Sequence, residues 1–236
     1  MSDAARTLDV RRLGRTRYED VHRLQGELVE QRIAGEVGDV LILTEHEPVV
    51  TVGRGSGAAD VAGVALPVFE IERGGEATYH GPGQVVAYPI LALAEGRRDL
   101  HRYLRDLEEV ALRVLAEFGL EGVRRPGLTG VWIGARKVCS IGVSVRRWVT
   151  WHGLAINVHT DLSAFGEFRP CGLDPEVMTR LSDHAEIPEG TLLVEVLVIR
   201  HLCDVFDLDL PDTRPASGAA PGGPSPSSDL PLYPGS

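Results

Sequence analysis

The sequence predicts an α+β fold, a single domain in which a mixed, largely antiparallel sheet is flanked by helices. Two amphipathic helical segments and a third, more apolar one are separated by short β-rich runs. The runs are unevenly spaced, and helices do not follow every strand, which is typical of a mixed sheet rather than of repeated βαβ units. At 236 residues and 43% apolar composition, the chain can bury one large core.

The first two helices are predicted from apolar residues that recur at helical spacing. The first covers residues 17–34, with Thr16 and Glu19 in the spacing of a capping box at its start. The second covers residues 99–118, and Gly119 follows where a helix stop is expected. Both helices are expected to pack one apolar face on the sheet.

The third helix is predicted over residues 190–206 and is apolar on most sides. Its Cys203 is expected to fill space in the core, as free cysteines commonly do. The strands are predicted from runs rich in β-branched and aromatic residues. These runs are DVLIL, VVTVG, LPVFEI, QVVAYPI, GVWIG, KVCSIGVSV and WHGLAINV.

Composition limits the location and the partners. Residues 211–236 are dense in Pro, Gly and Ser and are predicted to be a disordered tail after a domain of residues 1–210. The chain has neither a membrane-length apolar run nor a signal peptide, so we expect a cytoplasmic protein without membrane association. A net charge of −10 argues against nucleic-acid binding. The sequence contains neither a CxxC nor an HxxxH pair, so we expect no metal site.

Lys137 is the only lysine in a chain that contains 23 arginines. On a solvated face the two residues are nearly interchangeable, but only an ammonium readily loses a proton near neutral pH when it is partly desolvated. Lys137 is therefore a candidate proton shuttle. The alternative at this point is a residual lysine on an exposed strand edge.

Two loops carry candidate chemistry. ERGGEATYHGPGQ, at residues 72–84, is rich in glycine, so that its backbone can approach a ligand closely or simply form a tight hairpin. In FRPCGL, Cys171 lies between Pro170 and Gly172, which favours an irregular and accessible backbone. Cys171 is thus the best candidate nucleophile, although a structural turn cysteine is the alternative.

Cys139 is a rival nucleophile, because side chains two residues apart on a strand share a face and would place it beside Lys137. Its neighbours are apolar, so space filling is the preferred interpretation. His152 and His159 are expected to be structural residues rather than ligands.

RGGEATYHGPGQ, ARKVCSIGV, HGLAINV and PCGL, in this order, resemble the motifs of the lipoyl(octanoyl) transferases of the biotin/lipoate protein ligase superfamily. EHEPVVTVGR, at residues 45–54, is similar to the early motif of that family. The resemblance extends from Leu8 through the third helix, and residues 1–210 are accordingly expected to form an octanoyltransferase catalytic domain with the superfamily's fold.

The resemblance implies transfer of an octanoyl group from the phosphopantetheine of acyl carrier protein to the lysine of a lipoyl domain, the first step of endogenous protein lipoylation. It makes Cys171 the thioester-forming nucleophile and Lys137 its activator. The expected acceptors are lipoyl domains of oxoacid dehydrogenase E2 subunits and glycine cleavage H protein. The enzyme is expected to be a monomer without a cofactor. The positions that match the acyl site of the family are Arg73, Gly74, Gly75, Glu76, Ala77, Thr78, Tyr79, His80, Ser140, Ile141, Gly142, Gly153, Leu154 and Ala155.

Three alternatives stay open from the sequence. An ATP-dependent lipoate or biotin ligase would have the same fold, but it has no use for a cysteine nucleophile. A non-catalytic binder of lipoyl domains or carrier proteins would be expected to lack Lys137 or Cys171, and both are present. A cysteine hydrolase would replace the acceptor amine with water.

Overall fold

The computed structural model describes residues 6–56, 58–168 and 174–210. Cys171 and the predicted tail at 211–236 lie outside the described residues. The helices are α1 (Tyr18–Ala34), α2 (Leu100–Glu117) and α3 (Leu192–Phe206), within two residues of the predicted bounds at each end. The strands are β1 (Arg6–Thr16), β2 (Asp39–His46), β3 (Val49–Val52), β4 (Val68–Glu70), β5 (Thr78–His80), β6 (Gln84–Ile90), β7 (Gly122–Arg125), β8 (Leu128–Ile133), β9 (Arg136–Arg146), β10 (Val149–Asn157) and β11 (Leu208–Asp209).

The strands form two sheets. The larger sheet has the order β11-β1-β2-β6-β10-β9-β8-β7, and the smaller has the order β4-β3-β5. Strand β1 pairs in parallel with β2 and β11, and β3 pairs in parallel with β4, whereas the other pairs are antiparallel. The prediction of a mixed, largely antiparallel sheet flanked by helices is confirmed.

Alternating side chains divide the core between the two faces of the large sheet. On β2, Val40 and Ile42 pack with α1, whereas Leu41 and Leu43 pack with α2 and α3 on the opposite face. Cys203, on α3, belongs to the second of these clusters, as predicted. A third apolar cluster joins the small sheet to Phe165 and Met178 and borders the cavity described below.

The predicted capping box of α1 is wrong. The residue that precedes the helix is Arg17, and no side chain caps the helix start. Thr16 is instead the last residue of β1, where its hydroxyl lies 2.8 Å from the hydroxyl of Thr44. Strand pairing with β2 fixes the position of Thr16, so its side chain is committed to the sheet. By contrast, Asp99 caps α2 by accepting hydrogen bonds from two backbone N–H groups.

Among the described residues, no helix combines the length and the apolar character that are needed to span a bilayer.

Candidate active site

A cavity of about 220 Å³ lies between the α1-side face of the large sheet and the glycine-rich loop that precedes β6. Its sheet wall comes mainly from β9 and β10, and its other wall comes from residues 71–80 and the start of α1. The lining is partly apolar and partly polar. It consists of Tyr18, Ile71, Arg73, Gly75, Glu76, Thr78, His80, Val86, Tyr88, Gly127, Leu128, Thr129, Lys137, Ser140, Ile141, Gly142, His152, Gly153, Leu154 and Ala155.

Lys137 reaches this cavity because of an irregularity in strand pairing. Val131 of β8 is opposite Cys139, but Trp132, the next residue, is opposite Lys137, so one step on β8 corresponds to two on β9. Such a bulge re-aims the side chains that precede it. Lys137 is buried and lines the cavity, with its Nζ atom 5.7 Å from the centre of the Trp132 ring.

Gly130 makes room for the lysine side chain. Its φ is +128°, and a Cβ at this position would lie 2.4 Å from the carbonyl oxygen of Cys139 and 2.7 Å from Cε of Lys137. Any larger residue would therefore displace the strand or the lysine. The backbone N–H of Gly130 donates to the buried carboxylate of Glu108 on α2 at 3.0 Å. Helix α2 thus fixes the segment against which Lys137 packs.

The glycine-rich loop is held close to the sheet by a buried arginine. The guanidinium of Arg73 donates to the carbonyl oxygen and the hydroxyl of Thr51, at 3.0 and 3.1 Å, and to the carbonyl oxygen of Gly74. The N–H of Gly74 donates to the carbonyl oxygen of Val143 on β9. A Cβ at Gly142 would lie 2.8 Å from Cδ of Arg73, so this approach requires glycine on the strand.

A chain of hydrogen bonds links the loop to the backbone of Lys137. The His80 ring lies 2.7 Å from Oε1 of Gln84, whose Nε2 donates to Oδ1 of Asn157. Asn157 donates to the carbonyl oxygen of Thr179, and the N–H of Thr179 donates to the carbonyl oxygen of Lys137 at 3.0 Å. Because Oε1 of Gln84 is an acceptor, Nδ1 of His80 carries the proton. The two walls of the cavity are therefore joined by neutral groups.

Three buried histidines near this cavity stay uncharged at neutral pH. Burial lowers the pKa of His46 to about 4 and, together with nearby charged groups, lowers the pKa of His80 and of His152 to about 3. His46 is hydrogen-bonded to the hydroxyl of Tyr88 at 2.8 Å. The cations among the described residues of the cavity wall are thus Arg73 and Lys137.

Cys139 is unsuited to nucleophilic chemistry in this structure. It is fully buried in the cluster beneath α2 and α3, on the face opposite the cavity. Burial raises the pKa of its thiol to about 12, despite the opposing influence of Lys137. The expectation that Lys137 and Cys139 share a face is wrong, because the bulge lies between them, and the preferred interpretation of Cys139 as a space-filling residue is confirmed.

The structure brings most of the predicted acyl-site positions together. Those on the cavity wall are Lys137, Arg73, Gly75, Glu76, Thr78, His80, Ser140, Ile141, Gly142, Gly153, Leu154 and Ala155. Three others lie behind the wall. Gly74 bonds to the sheet backbone, whereas Ala77 and Tyr79 are buried in the cluster around Phe165. His159 also lies away from the cavity, with Nε2 near the carbonyl oxygen of Pro188.

Several wall residues were not predicted from the sequence. His152 was expected to be structural, yet it lies on the wall. Tyr18 is on the buried face of α1 together with Val21 and Gln25, so helical periodicity could have placed it towards the sheet. Residues 127–129 come eight to ten positions before Lys137 in the sequence. Only the pairing of β8 with β9 brings them to the cavity. The other residues missed were Ile71, Val86 and Tyr88.

Comparison with known proteins adds independent findings. The family model for the lipoyl protein ligase A/B catalytic domain matches residues 17–198. An octanoyltransferase from Rubrobacter xylanophilus is 50% identical over 184 residues, which cover 74% of this chain and 82% of that protein. An octanoyltransferase from Nostoc punctiforme is 45% identical over 204 residues, covering 84% of this chain and 88% of that one.

Solved structures agree on the fold. Protein Ta0514 from T. acidophilum, described as a lipoate protein ligase with bound lipoic acid, superposes with a TM-score of 0.68 at 15% identity, covering 87% of this chain and 88% of that one. Lipoate-protein ligase A bound with ATP gives a TM-score of 0.67 at 15% identity, covering 88% and 87%. Because the family model spans most of the sequence and two octanoyltransferases are 45% and 50% identical to it, the chain belongs to the lipoyl protein ligase A/B catalytic domain family and is an acyltransferase.

Proposed function

We propose that this enzyme transfers an octanoyl group from acyl carrier protein to the lysine of a lipoyl domain, through a thioester on Cys171. The octanoyl group is inferred from the relatives that are named octanoyltransferase. The observation that carries the proposal is the placement of Lys137, the only lysine of the chain, on the wall of a cavity that is partly apolar. In this position an amine can exchange a proton with a reacting sulfur or nitrogen, whereas a guanidinium cannot.

The described residues on either side of Cys171 support its assignment as the nucleophile. Phe168, three residues earlier, and Met178, seven residues later, are both buried in the cluster that borders the cavity. Met178 also forms a parallel bridge with Lys137. The described residues that flank the PCG motif thus share one cluster, and the later one, Met178, pairs with the lysine's own strand.

The proposed first step forms the enzyme thioester. The Cys171 thiolate attacks the carbonyl carbon of the carrier-bound octanoyl group, and the bond from that carbon to the phosphopantetheine sulfur breaks. The ammonium of Lys137 stabilises the attacking thiolate and gives its proton to the departing sulfur. Lys137 is then neutral.

The second step forms the product amide. The neutral amine of the acceptor lysine attacks the Cys171 thioester, and Lys137 takes up the proton that the new amide nitrogen loses. Cys171 leaves as a thiolate, so the starting ion pair is restored. A thioester is already activated and an amide is more stable, so the transfer requires neither ATP nor a metal ion.

The cavity has a suitable character for an acyl chain. Ile71, Val86, Leu128 and Ala155 supply apolar surface, and the glycines of β9 and β10 leave space beside them. An octanoyl chain has six internal methylenes, whose burial at about 0.8 kcal/mol each would contribute roughly 5 kcal/mol to binding. This contribution is large enough to select for chain length.

The test is the intact mass of the protein after mixing with octanoyl-acyl carrier protein. Wild type and Cys139→Ser should acquire an octanoyl adduct that hydroxylamine removes, because the proposed thioester forms on Cys171. Cys171→Ser should acquire no such adduct, and Lys137→Arg should acquire it much more slowly. Addition of a lipoyl domain should then move the group to a hydroxylamine-resistant amide on that domain.

Cys139→Ser is the matched control, since it also removes one thiol from the chain. Loss of the adduct in Cys139→Ser alone would show that the nucleophile is misassigned. Failure of every variant to form the adduct, together with ATP-dependent modification of the lipoyl domain by free octanoate, would replace transfer with ligation. Release of free octanoate without a lipoyl domain would indicate a hydrolase.

A further inference from the structure

A second group of chemically active side chains lies at the α1 end of the cavity. His22 of α1, Glu72 of the glycine-rich loop and His152 of β10 each direct one ligand atom into a common space, with all three atoms within 4.8 Å of one another. Nε2 of His22 is 3.3 Å from a carboxylate oxygen of Glu72. These residues come from three separate parts of the chain, and the acyl transfer proposed above gives His22 and Glu72 no role.

His152 is held in this cluster with an unpartnered nitrogen. Its residue is 1% exposed, and among the described residues its Nε2 atom has no hydrogen-bond partner. A buried imidazole nitrogen without a partner costs free energy. The backbone also adopts φ of +55°, a left-handed conformation that is unfavourable for a residue with a Cβ.

Neighbouring groups fix this orientation. The backbone N–H of His152 donates to Oε1 of Gln25 on α1 at 2.8 Å. The imidazole ring of His152 stacks on the ring of His22. Arg73, which lines the same cavity, directs N–H groups at the oxygens of Thr51 and Gly74. An unfavourable backbone and an unsatisfied nitrogen are thus maintained next to two other metal-ligating side chains.

We propose that His22, Glu72 and His152 form a binding site for a divalent transition-metal ion, with Zn²⁺ as the best-suited ion. Two imidazoles and one carboxylate are a common zinc ligand set, and a water molecule would complete four-coordination. Zinc–ligand bonds of about 2.0–2.2 Å place neighbouring ligands of a tetrahedral ion roughly 3.3–3.5 Å apart. The 3.3 Å between Nε2 of His22 and Oε2 of Glu72 already lies in this range. Both side chains are partly exposed and can move towards the buried His152.

The site would be distinct from the acyl-transfer chemistry, which does not use a metal ion. Because His152 also lines the cavity, an ion bound there would fix one end of the cavity wall. The exposed sides of His22 and Glu72 provide a route for the ion from solvent.

The test is isothermal titration of the protein with Zn²⁺ alone. The parent protein should carry Cys171→Ser, which removes a competing thiolate without changing the three ligands. We expect one saturable site in this parent. His22→Gln and Glu72→Gln should each weaken binding by more than roughly 100-fold, the upper end of the loss that follows removal of an outer-shell partner.

His101→Gln is the matched control, because His101 lies on the exposed surface of α2. It should bind Zn²⁺ as tightly as the parent. Thermal unfolding without Zn²⁺ gives the baseline melting temperature of each protein, and added Zn²⁺ should raise the melting temperature of the parent but not that of His22→Gln. A parent that binds no Zn²⁺, or equal affinity in the parent, His22→Gln and Glu72→Gln, would overturn the proposal. Neither result depends on octanoyl transfer, so the two proposals fail independently.

Discussion

Lys137 and Cys139 are two residues apart on one strand, yet their side chains lie on opposite faces of the sheet. Strict alternation would have placed both in the cavity or both in the core. The bulge between them sends the amine to the cavity and buries the thiol. The proposed catalytic lysine therefore has no second thiol beside it on its own strand.

We expect Gly130→Ala to reduce both the rate of enzyme-thioester formation and the stability of the fold. The new Cβ would lie 2.4 Å from the carbonyl oxygen of Cys139 and 2.7 Å from Cε of Lys137, so the strand and the lysine side chain must both shift. A shift of about 1 Å at a reacting group can cost on the order of 100-fold in rate. Rapid-quench measurement of the octanoyl adduct, alongside thermal unfolding, checks this.

Gly134→Ala is the control for that substitution. Gly134 also has a positive φ, +55°, but a Cβ there would have no neighbour within 4 Å. It tests an alanine at a glycine of positive φ in the same hairpin without the clashes at Gly130, and it should keep the wild-type rate. Equal rate losses in the two variants would contradict a specific effect on Lys137.

Glu108→Ala should destabilise the enzyme by about 1–3 kcal/mol, because it leaves the buried N–H of Gly130 without its acceptor. It also removes the buried carboxylate that pairs with Arg105 and Arg124. Urea unfolding measures the difference. Glu109→Ala, which removes exposed ion pairs of the same helix, should cost no more than about 1 kcal/mol. Similar losses in both variants would argue against a special role of Glu108.

Stability should fall as the pH is lowered from about 6.5 towards 5. His46, His80 and His152 have pKa values of about 4, 3 and 3 in the folded protein, against about 6.5 when unfolded. Below pH 6.5 the unfolded chain therefore binds protons that the folded chain does not, which favours unfolding by up to about 1.4 kcal/mol per pH unit for each histidine. Urea titrations at pH 7 and 5 measure this dependence.

A histidine variant supplies the comparison for the pH series. His46→Gln removes one of the three histidines. The free energy of unfolding of this variant should therefore change less steeply with pH between pH 6.5 and 5. A slope that is the same in His46→Gln and wild type would show that this histidine does not contribute.

Ala155→Val should shift the acyl preference towards shorter chains. Ala155 lies on the cavity wall, opposite Ser140 and Val86 in the sheet, so a larger side chain occupies space that the acyl chain would fill. Loss of one buried methylene is worth about fourfold in binding, at about 0.8 kcal/mol. The ratio of kcat/KM for octanoyl- and hexanoyl-acyl carrier protein should therefore fall by about that factor or more.

The control for chain length is Ala87→Val. Ala87 is buried on the opposite face of the sheet and pairs with Leu154. Overpacking there should lower stability but leave the octanoyl-to-hexanoyl ratio unchanged. A ratio that moves equally in both variants would mean that Ala155 does not define the acyl cavity.

The sequence was informative wherever periodicity or composition reflects burial. Within the part of the chain that the structure describes, all three α-helices and seven of the strands were predicted, because their apolar residues follow the spacing of a single element. Strand β1 was missed because TLDVRRLGRT carries three arginines over ten residues. Its position depends on parallel pairing with β2, a long-range relationship that no local pattern reports.

The cavity was only partly predictable for the same reason. The glycine loop and Lys137 were identified by residue type, but their proximity depends on the bulge in β9 and on the hydrogen bonds through Gln84 and Asn157. Alternation alone predicted the wrong face for Cys139. His152 carries no distinctive local signal, since its contribution arises where α1 meets β10. For Tyr18, helical periodicity predicts the buried face of α1 but not the cavity that this face borders.

The bulge also restricts how the gene can change in length. Deletion of Val138, the extra residue, would let β8 and β9 pair one for one and would still leave the lysine and the cysteine on opposite faces, because they would then be adjacent. Deletion of one residue between Cys139 and Val143 would instead rotate the part of β9 before it to the other face and carry the lysine towards the apolar core. Single-codon deletions in β9 should therefore be tolerated better at position 138 than in the rest of the strand.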